Sequence, residues 1–240
     1  MNFDGIISLL IACIEFLLLF NLLVFVKKNK VNVIALIMIA LLASYHALEF
    51  LMCQVELQYP FFPFFAFVVI SFLPPLNLLL TINLKDQARD KKLYLIFLPA
   101  IGFSVYYLFV IPEFVVTSCT VLYASYHYPL GDLFGFFYYL PILISIILLI
   151  RFIKSNTDKK QKLIAKVLLF GSLFISVPVL IGFTLMLFNN YSIISAVESI
   201  MCKFAFVYAV CLSFICLYNS PFNDERNYFK YLFGNKQQFG

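Results

Sequence analysis

Residues 192–218 read SIISAVESIMCKFAFVYAVCLSFICLY, a run long enough to cross a bilayer that carries Glu198 and Lys203 inside it. At about 100° per residue, Ser195, Glu198, Ser199, Cys202, Lys203, Ala205 and Ala209 share one arc of roughly 160°, with Phe206 the one bulky residue among them. Ile194, Val197, Ile200, Met201 and Phe204 point elsewhere. One face is therefore small or polar and the other suits lipid. An ionisable side chain at the bilayer centre costs ~2.5–3.5 kcal/mol on insertion scales, so a Glu and a Lys on one span require partners, water or a function.

The rest of the chain agrees with a membrane setting. Its 240 residues are 63% hydrophobic and 12% charged, too few charges to cover a water-exposed surface, for which about 25% is usual. Apolar runs of about 20 residues predict helical spans, and the alternating pattern of an outer-membrane barrel is absent. The expected architecture is an all-α seven-transmembrane-helix bundle with spans at about 5–26, 31–53, 61–84, 93–111, 133–153, 163–188 and 192–218. Residues 219–240 are expected to form a short cytoplasmic tail, with no second soluble domain.

Orientation follows from the basic residues. Sixteen of the seventeen Lys and Arg lie outside the apolar runs or at their edges. The connections after spans one, three and five and the tail are all basic, whereas the alternate segments lack Lys and Arg, so the N-terminus is expected outside and the C-terminus in the cytoplasm. The apolar run at 5–26 is preceded only by Asp4 and followed by Lys27, Lys28 and Lys30, the reverse of a cleavable secretory signal. A multi-pass protein of the bacterial inner membrane is the expectation, with composition rich in Phe, Ile, Lys and Asn as a hint of an AT-rich genome.

Polar residues inside the spans define the candidate site. Glu15 sits near the middle of span one, with Ser8 and Ala12 within about 60° of it on the same face. His46, Glu49 and Cys53 fall within about 60° of arc near the outer end of span two. Counting ~1.5 Å per residue from the outer ends puts Glu15 and Lys203 at matching depth, and His46, Glu49 and Glu198 in a shallower layer. Glu15 is thus expected to hold Lys203, while His46, Glu49 and Glu198 line an outward-facing polar pocket between helices one, two and seven. The competing reading is a buried ion-pair network that fixes helix register and binds nothing.

Prolines punctuate the other spans. Pro74 and Pro75 remove backbone donors in mid-span and predict a kink with a local opening, followed by Asn77, Thr81 and Asn83; Pro99, Pro141 and Pro178 are further kink positions. The 112–132 segment has no Lys or Arg but carries Cys119, Tyr123, Tyr126, His127 and Tyr128, an outer loop whose aromatics could cap the bundle. Of the six Cys, Cys53 and Cys119 are the two placed outside or at the outer edge, where they could form a disulfide or remain thiols.

Motif chemistry narrows the function. His46 and Glu49 have helical metal-ligand spacing, but one HxxE pair is weak and only one other His, His127, exists, so no metal and no cofactor is expected. Ser44 and His46 suggest a comparison with ceramidase-like seven-helix hydrolases, which fails because the last span has no His; GxSxG, HExxH and paired Asp motifs are missing too. Retinal proteins share a Lys in the seventh helix, yet no Trp is present. Seven-helix sugar carriers have prolines in spans one and two, which lack Pro here.

The seven spans, the outer N-terminus, the acidic Glu49 near the end of helix two, the Pro74-Pro75 kink and a short basic tail resemble the seven-helix membrane input modules of bacterial histidine kinases and diguanylate cyclases. That resemblance implies a receptor-like or accessory protein binding a small ligand or membrane partner. Its output would lie on a separate signalling subunit at the basic cytoplasmic face, where Lys85 to Lys92 and Arg151 to Lys166 meet partner or anionic lipid. No nucleic-acid partner is expected. A proton- or cation-coupled transporter using Glu15 and Glu198 is the alternative, and a lipid-modifying enzyme the third.

Overall fold

The computed structural model describes residues 5–55, 59–84, 91–121, 124–187 and 191–220, and the side chains of 91, 92, 125, 132, 179, 180, 182–187 and 191–202 lie outside that description. The basic 85–90 stretch and Arg226, Lys230 and Lys236 of the tail likewise lie outside the described residues. Eight α-helices are found among them: α1 (Ile6–Phe25), α2 (Lys30–Gln54), α3 (Phe61–Ser71), α4 (Leu73–Asn83), α5 (Leu98–Phe109), α6 (Gly131–Ser155), α7 (Lys159–Leu187) and α8 (Tyr191–Asn219). Five helical stretches, with α3 and α4 taken together, are long and apolar enough to cross a membrane, and 93–109 and 203–219 are shorter apolar helical segments. The protein is thus all-α in class and compatible with a multi-pass membrane protein.

Local chemistry sets the helix boundaries. Asn29 caps α2, its side-chain oxygen accepting the Asn32 backbone N–H at 2.9 Å and satisfying one of the unpaired donors of the first turn. Gly5, with φ 77°, precedes α1 in the left-handed region. A Cβ there would come within 3.1 Å of Cys53 Cβ, so the glycine also lets the start of α1 approach the end of α2.

Residues 61–83 are two helices rather than one bent span. The chain breaks at Phe72, and Pro74 and Pro75 fall in the first turn of α4, where backbone N–H groups have no intrahelical acceptor in any case. Pro99 is likewise the second residue of α5, after a 3-10 segment at Lys91–Phe97. Pro141 and Pro178 differ, because α6 and α7 continue through them.

A second departure lies in the 112–132 connection, which contains an antiparallel hairpin of β1 (Val115–Cys119) and β2 (Ala124–His127), with Val115 opposite His127, Cys119 opposite Ala124 and a bulge between Val116 and Ser118. Beside it, Phe114 and Tyr128 pack with Phe67, Tyr107 and Phe134, ring centroids 4.4–6.2 Å apart, and the Tyr107 hydroxyl donates to the Pro129 carbonyl. Aromatic area thus anchors the base of the hairpin to the ends of α3, α5 and α6.

The main core gathers buried residues of α1, α2, α4, α6, α7 and α8, including Met38, Ile39, Leu80, Leu149, Leu168 and Leu212. The outer surfaces stay apolar: Leu10, Leu17, Phe20, Val24, Phe109, Phe136 and Phe170 are all exposed. Such a surface is suited to hydrocarbon, not water. At the end of the bundle away from the hairpin, neutral hydrogen bonds tie the end of α8 to α2 and its cap. Asn219 donates to Asn32 at 3.0 Å and to Asn29 at 3.3 Å, and the Lys27 backbone N–H donates to Ser220 Oγ at 3.1 Å.

Candidate functional site

Polar residues spaced along α1 and α2 meet α8 beneath the hairpin. Ser8 and Glu15 lie seven residues apart, two turns along one stripe of α1, and His46 and Glu49 are one turn apart on α2. His46 Nδ1 and Glu15 Oε2 are hydrogen-bonded at 2.9 Å, and both side chains are 0% exposed. Lys203 Nζ donates to Glu49 Oε2 and, at 2.7 Å, to Ser8 Oγ; Glu49 is fully buried and Lys203 is 13% exposed. Glu49 Oε1 accepts the backbone N–H of Ala124 in β2 at 2.9 Å.

These contacts correct the expected pairing. Lys203 pairs with Glu49, not Glu15, and Glu15 pairs with His46. The reason is the length of the lysine stem. Ser8 lies seven residues, ~10 Å of helix rise, nearer the hairpin end than Glu15, and Lys203 extends its four methylenes that way to reach Ser8 and Glu49. Matching Cα depths placed Lys203 beside Glu15, whereas its ammonium lies elsewhere. Glu15 then takes a partner on α2. Glu198 lies on α8, and its side chain is outside the described residues.

The layer is also roofed. Cys53 and Cys119 form a disulfide with Cα atoms 5.4 Å apart, and the Gly5 N–H donates to the Thr120 carbonyl at 3.0 Å. With the Ala124 bond to Glu49, three ties hold the hairpin over the ends of α1 and α2. The hairpin is the element missed by reading 112–132 as a loop. The β-branched run Val115-Val116-Thr117 and Tyr126 were its signal, because such residues favour a pleated strand.

One atom stands out. Glu15 Oε1 is buried without a hydrogen-bond partner among the described residues. A buried polar atom left unpaired costs about 1–3 kcal/mol, more when charged. Among the described side chains of this layer, two carboxyl groups, Glu15 and Glu49, face one ammonium, Lys203. No three His, Cys, Asp or Glu among the described residues come together to hold a metal ion.

A second polar group, assembled from residues never singled out together in the sequence, lies between α4, α7 and α8. Tyr208 OH donates to Asn77 Oδ1 at 2.7 Å, and Asn77 Nδ2 donates to Ser172 Oγ at 3.3 Å, all three residues being buried. Gly171 makes this arrangement possible, since a Cβ there would lie 2.6 Å from Tyr208 Cδ2. The sequence signal was slight: an Asn just past a proline pair, and a Gly-Ser step in an apolar run.

Comparison with family models, with curated proteins and with solved structures finds no match for the chain.

Proposed function

We propose that the chain is a seven-pass plasma-membrane protein, N-terminus outside, acting as a receptor-like or accessory subunit that responds to a small polar ligand or membrane partner at its hairpin end. The observation that carries this reading is the pair of hydrogen bonds accepted by Glu49. One carboxylate holds both the backbone of the hairpin, through Ala124, and the ammonium of α8, through Lys203. α8 continues to Asn219, which bonds α2 and its cap at the far end. A ligand that competes for Glu49 would release the hairpin and change the seat of α8 together. The basic segments would then pass the change to a separate signalling subunit or to anionic lipid.

Hydrogen exchange on the full chain in nanodiscs tests the coupling. Glu49→Gln is expected to raise exchange at the Ala124 amide and also at the Asn219–Ser220 end. Loosening of the hairpin with no change at the far end would overturn the reading. Copurification from native membranes is expected to bring down a membrane or cytoplasmic partner.

A second reading, a proton-coupled transporter, is favoured by Glu15 Oε1, a buried carboxylate oxygen beside His46 that lacks a donor. Proton flux in proteoliposomes that disappears in Glu15→Gln would replace the receptor reading with this one.

A further inference from the structure

Between α2, α3, α4, α6, α7 and α8 lies a partly open cavity of about 40 Å³, beside the Pro74-Pro75 break. Its walls are apolar, among them Leu42, Leu73 and Ile142, and among the described residues no Asp, Glu, Lys, Arg or His lines it. Its polar lining residues are Asn77, Ser172 and Tyr208, the hydrogen-bonded group described above, together with Tyr45 and Tyr138. It is separate from the charged layer, although Lys203 and Tyr208 share α8.

Hydrogen-bond capacity remains in that group. Asn77 carries two amide hydrogens and two carbonyl lone pairs, of which one hydrogen goes to Ser172 and one lone pair to Tyr208. Its remaining hydrogen and lone pair have no partner among the described residues. An apolar chamber with one convergent donor–acceptor pair is the usual form of a small-molecule site. Its chemistry selects the guest. A charged molecule would be desolvated with no counter-charge among the described residues, whereas a plain hydrocarbon would leave Asn77 unanswered.

We infer that this cavity binds an uncharged amphipathic molecule, an apolar chain or ring bearing one hydroxyl or carbonyl, whose oxygen bonds Asn77 while its hydrocarbon lies against Leu42, Leu73 and Ile142. Gly171 sets the position of the Tyr208 ring that closes one wall, and the helix break at Phe72 provides the space.

Photolabelling of the full chain in nanodiscs with a diazirine-bearing octanol tests this. Adducts are expected on cavity residues such as Tyr208 or Tyr45. 1-Octanol should compete about five-fold better than octane or octylammonium at equal mole fraction in the bilayer, the size of one neutral hydrogen bond. Asn77→Leu should remove the advantage of octanol over octane, and Ala205→Leu, which fills the cavity, should abolish the adducts. If either variant fails to fold, the wild-type competition series decides alone. Adducts confined to lipid-facing residues such as Phe20 and Val24, or equal competition by all three molecules, would overturn the inference.

Discussion

The charged layer under the hairpin and the neutral group at Asn77 are both buried, both interhelical and both completed by α8, five residues apart at Lys203 and Tyr208. They differ in what each could do without. In the charged layer the carboxylates of Glu15 and Glu49 are bonded to His46, to Lys203 and to the Ala124 backbone, and Lys203 also to the Ser8 hydroxyl, while Glu15 Oε1 has no partner among the described residues. Removing one member there strands a charge in a medium that cannot solvate it. The neutral group can lose a member and strand only a dipole, and it keeps spare bonding capacity beside open space. The charged layer is therefore suited to holding elements in place, or releasing them together. The neutral group is suited to receiving a guest.

Stability measurements in detergent or nanodiscs can break this contrast. Lys203→Met leaves Glu49 buried and unpaired and is expected to cost about 3–5 kcal/mol, the largest single effect in the molecule. A loss as small as that of a neutral hydrogen bond would show the layer to be solvated and the contrast false. Adding Glu49→Leu should recover most of the loss, because an apolar pair can replace an ionic one. Recovery should stop about 1–3 kcal/mol short of wild type, since the Ala124 N–H loses its acceptor.

Cys119→Ser sharpens the comparison from the covalent side. Loss of a disulfide typically costs 2–4 kcal/mol, and here amide exchange at Ala124 should rise while the Tyr208 region of α8 stays protected. Equal loosening of both regions would mean that they form one cooperative unit. Gly171→Ala forces a methyl against the Tyr208 ring and should cost about 1–3 kcal/mol, with a change in Tyr208 environment detectable by NMR. The smallest effect is expected for Tyr208→Phe. Interhelical hydrogen bonds in membranes average ~0.6 kcal/mol, so a cost well above 2 kcal/mol would place the neutral group on the charged side of the comparison.

Much of the fold was legible residue by residue. Apolar runs located the helices because hydrocarbon allows only internally bonded backbone. The Pro74-Pro75 pair marked a place where a span divides. The charged residues Glu15, His46, Glu49 and Lys203 stood out for their cost in an apolar segment. What failed was the pairing. Depth counted along helix axes ignores side-chain length, and Lys203 spans enough distance to make two different carboxylates equally plausible on paper. The hairpin was missed because five- and four-residue strands need only a short β-branched run, which in this composition is easily read as an apolar loop.

The sequence by itself determined which segments are helical, which are apolar enough for a bilayer and which few residues carry charge within them, because those follow from composition and period along the chain. The tertiary structure decided that His46 serves Glu15, that Glu49 joins the hairpin to α8, and that Asn77, Ser172 and Tyr208 meet beside a cavity. Partners separated by 31, 154 and 131 positions are selected by helix packing and side-chain reach, and neither has a local signature.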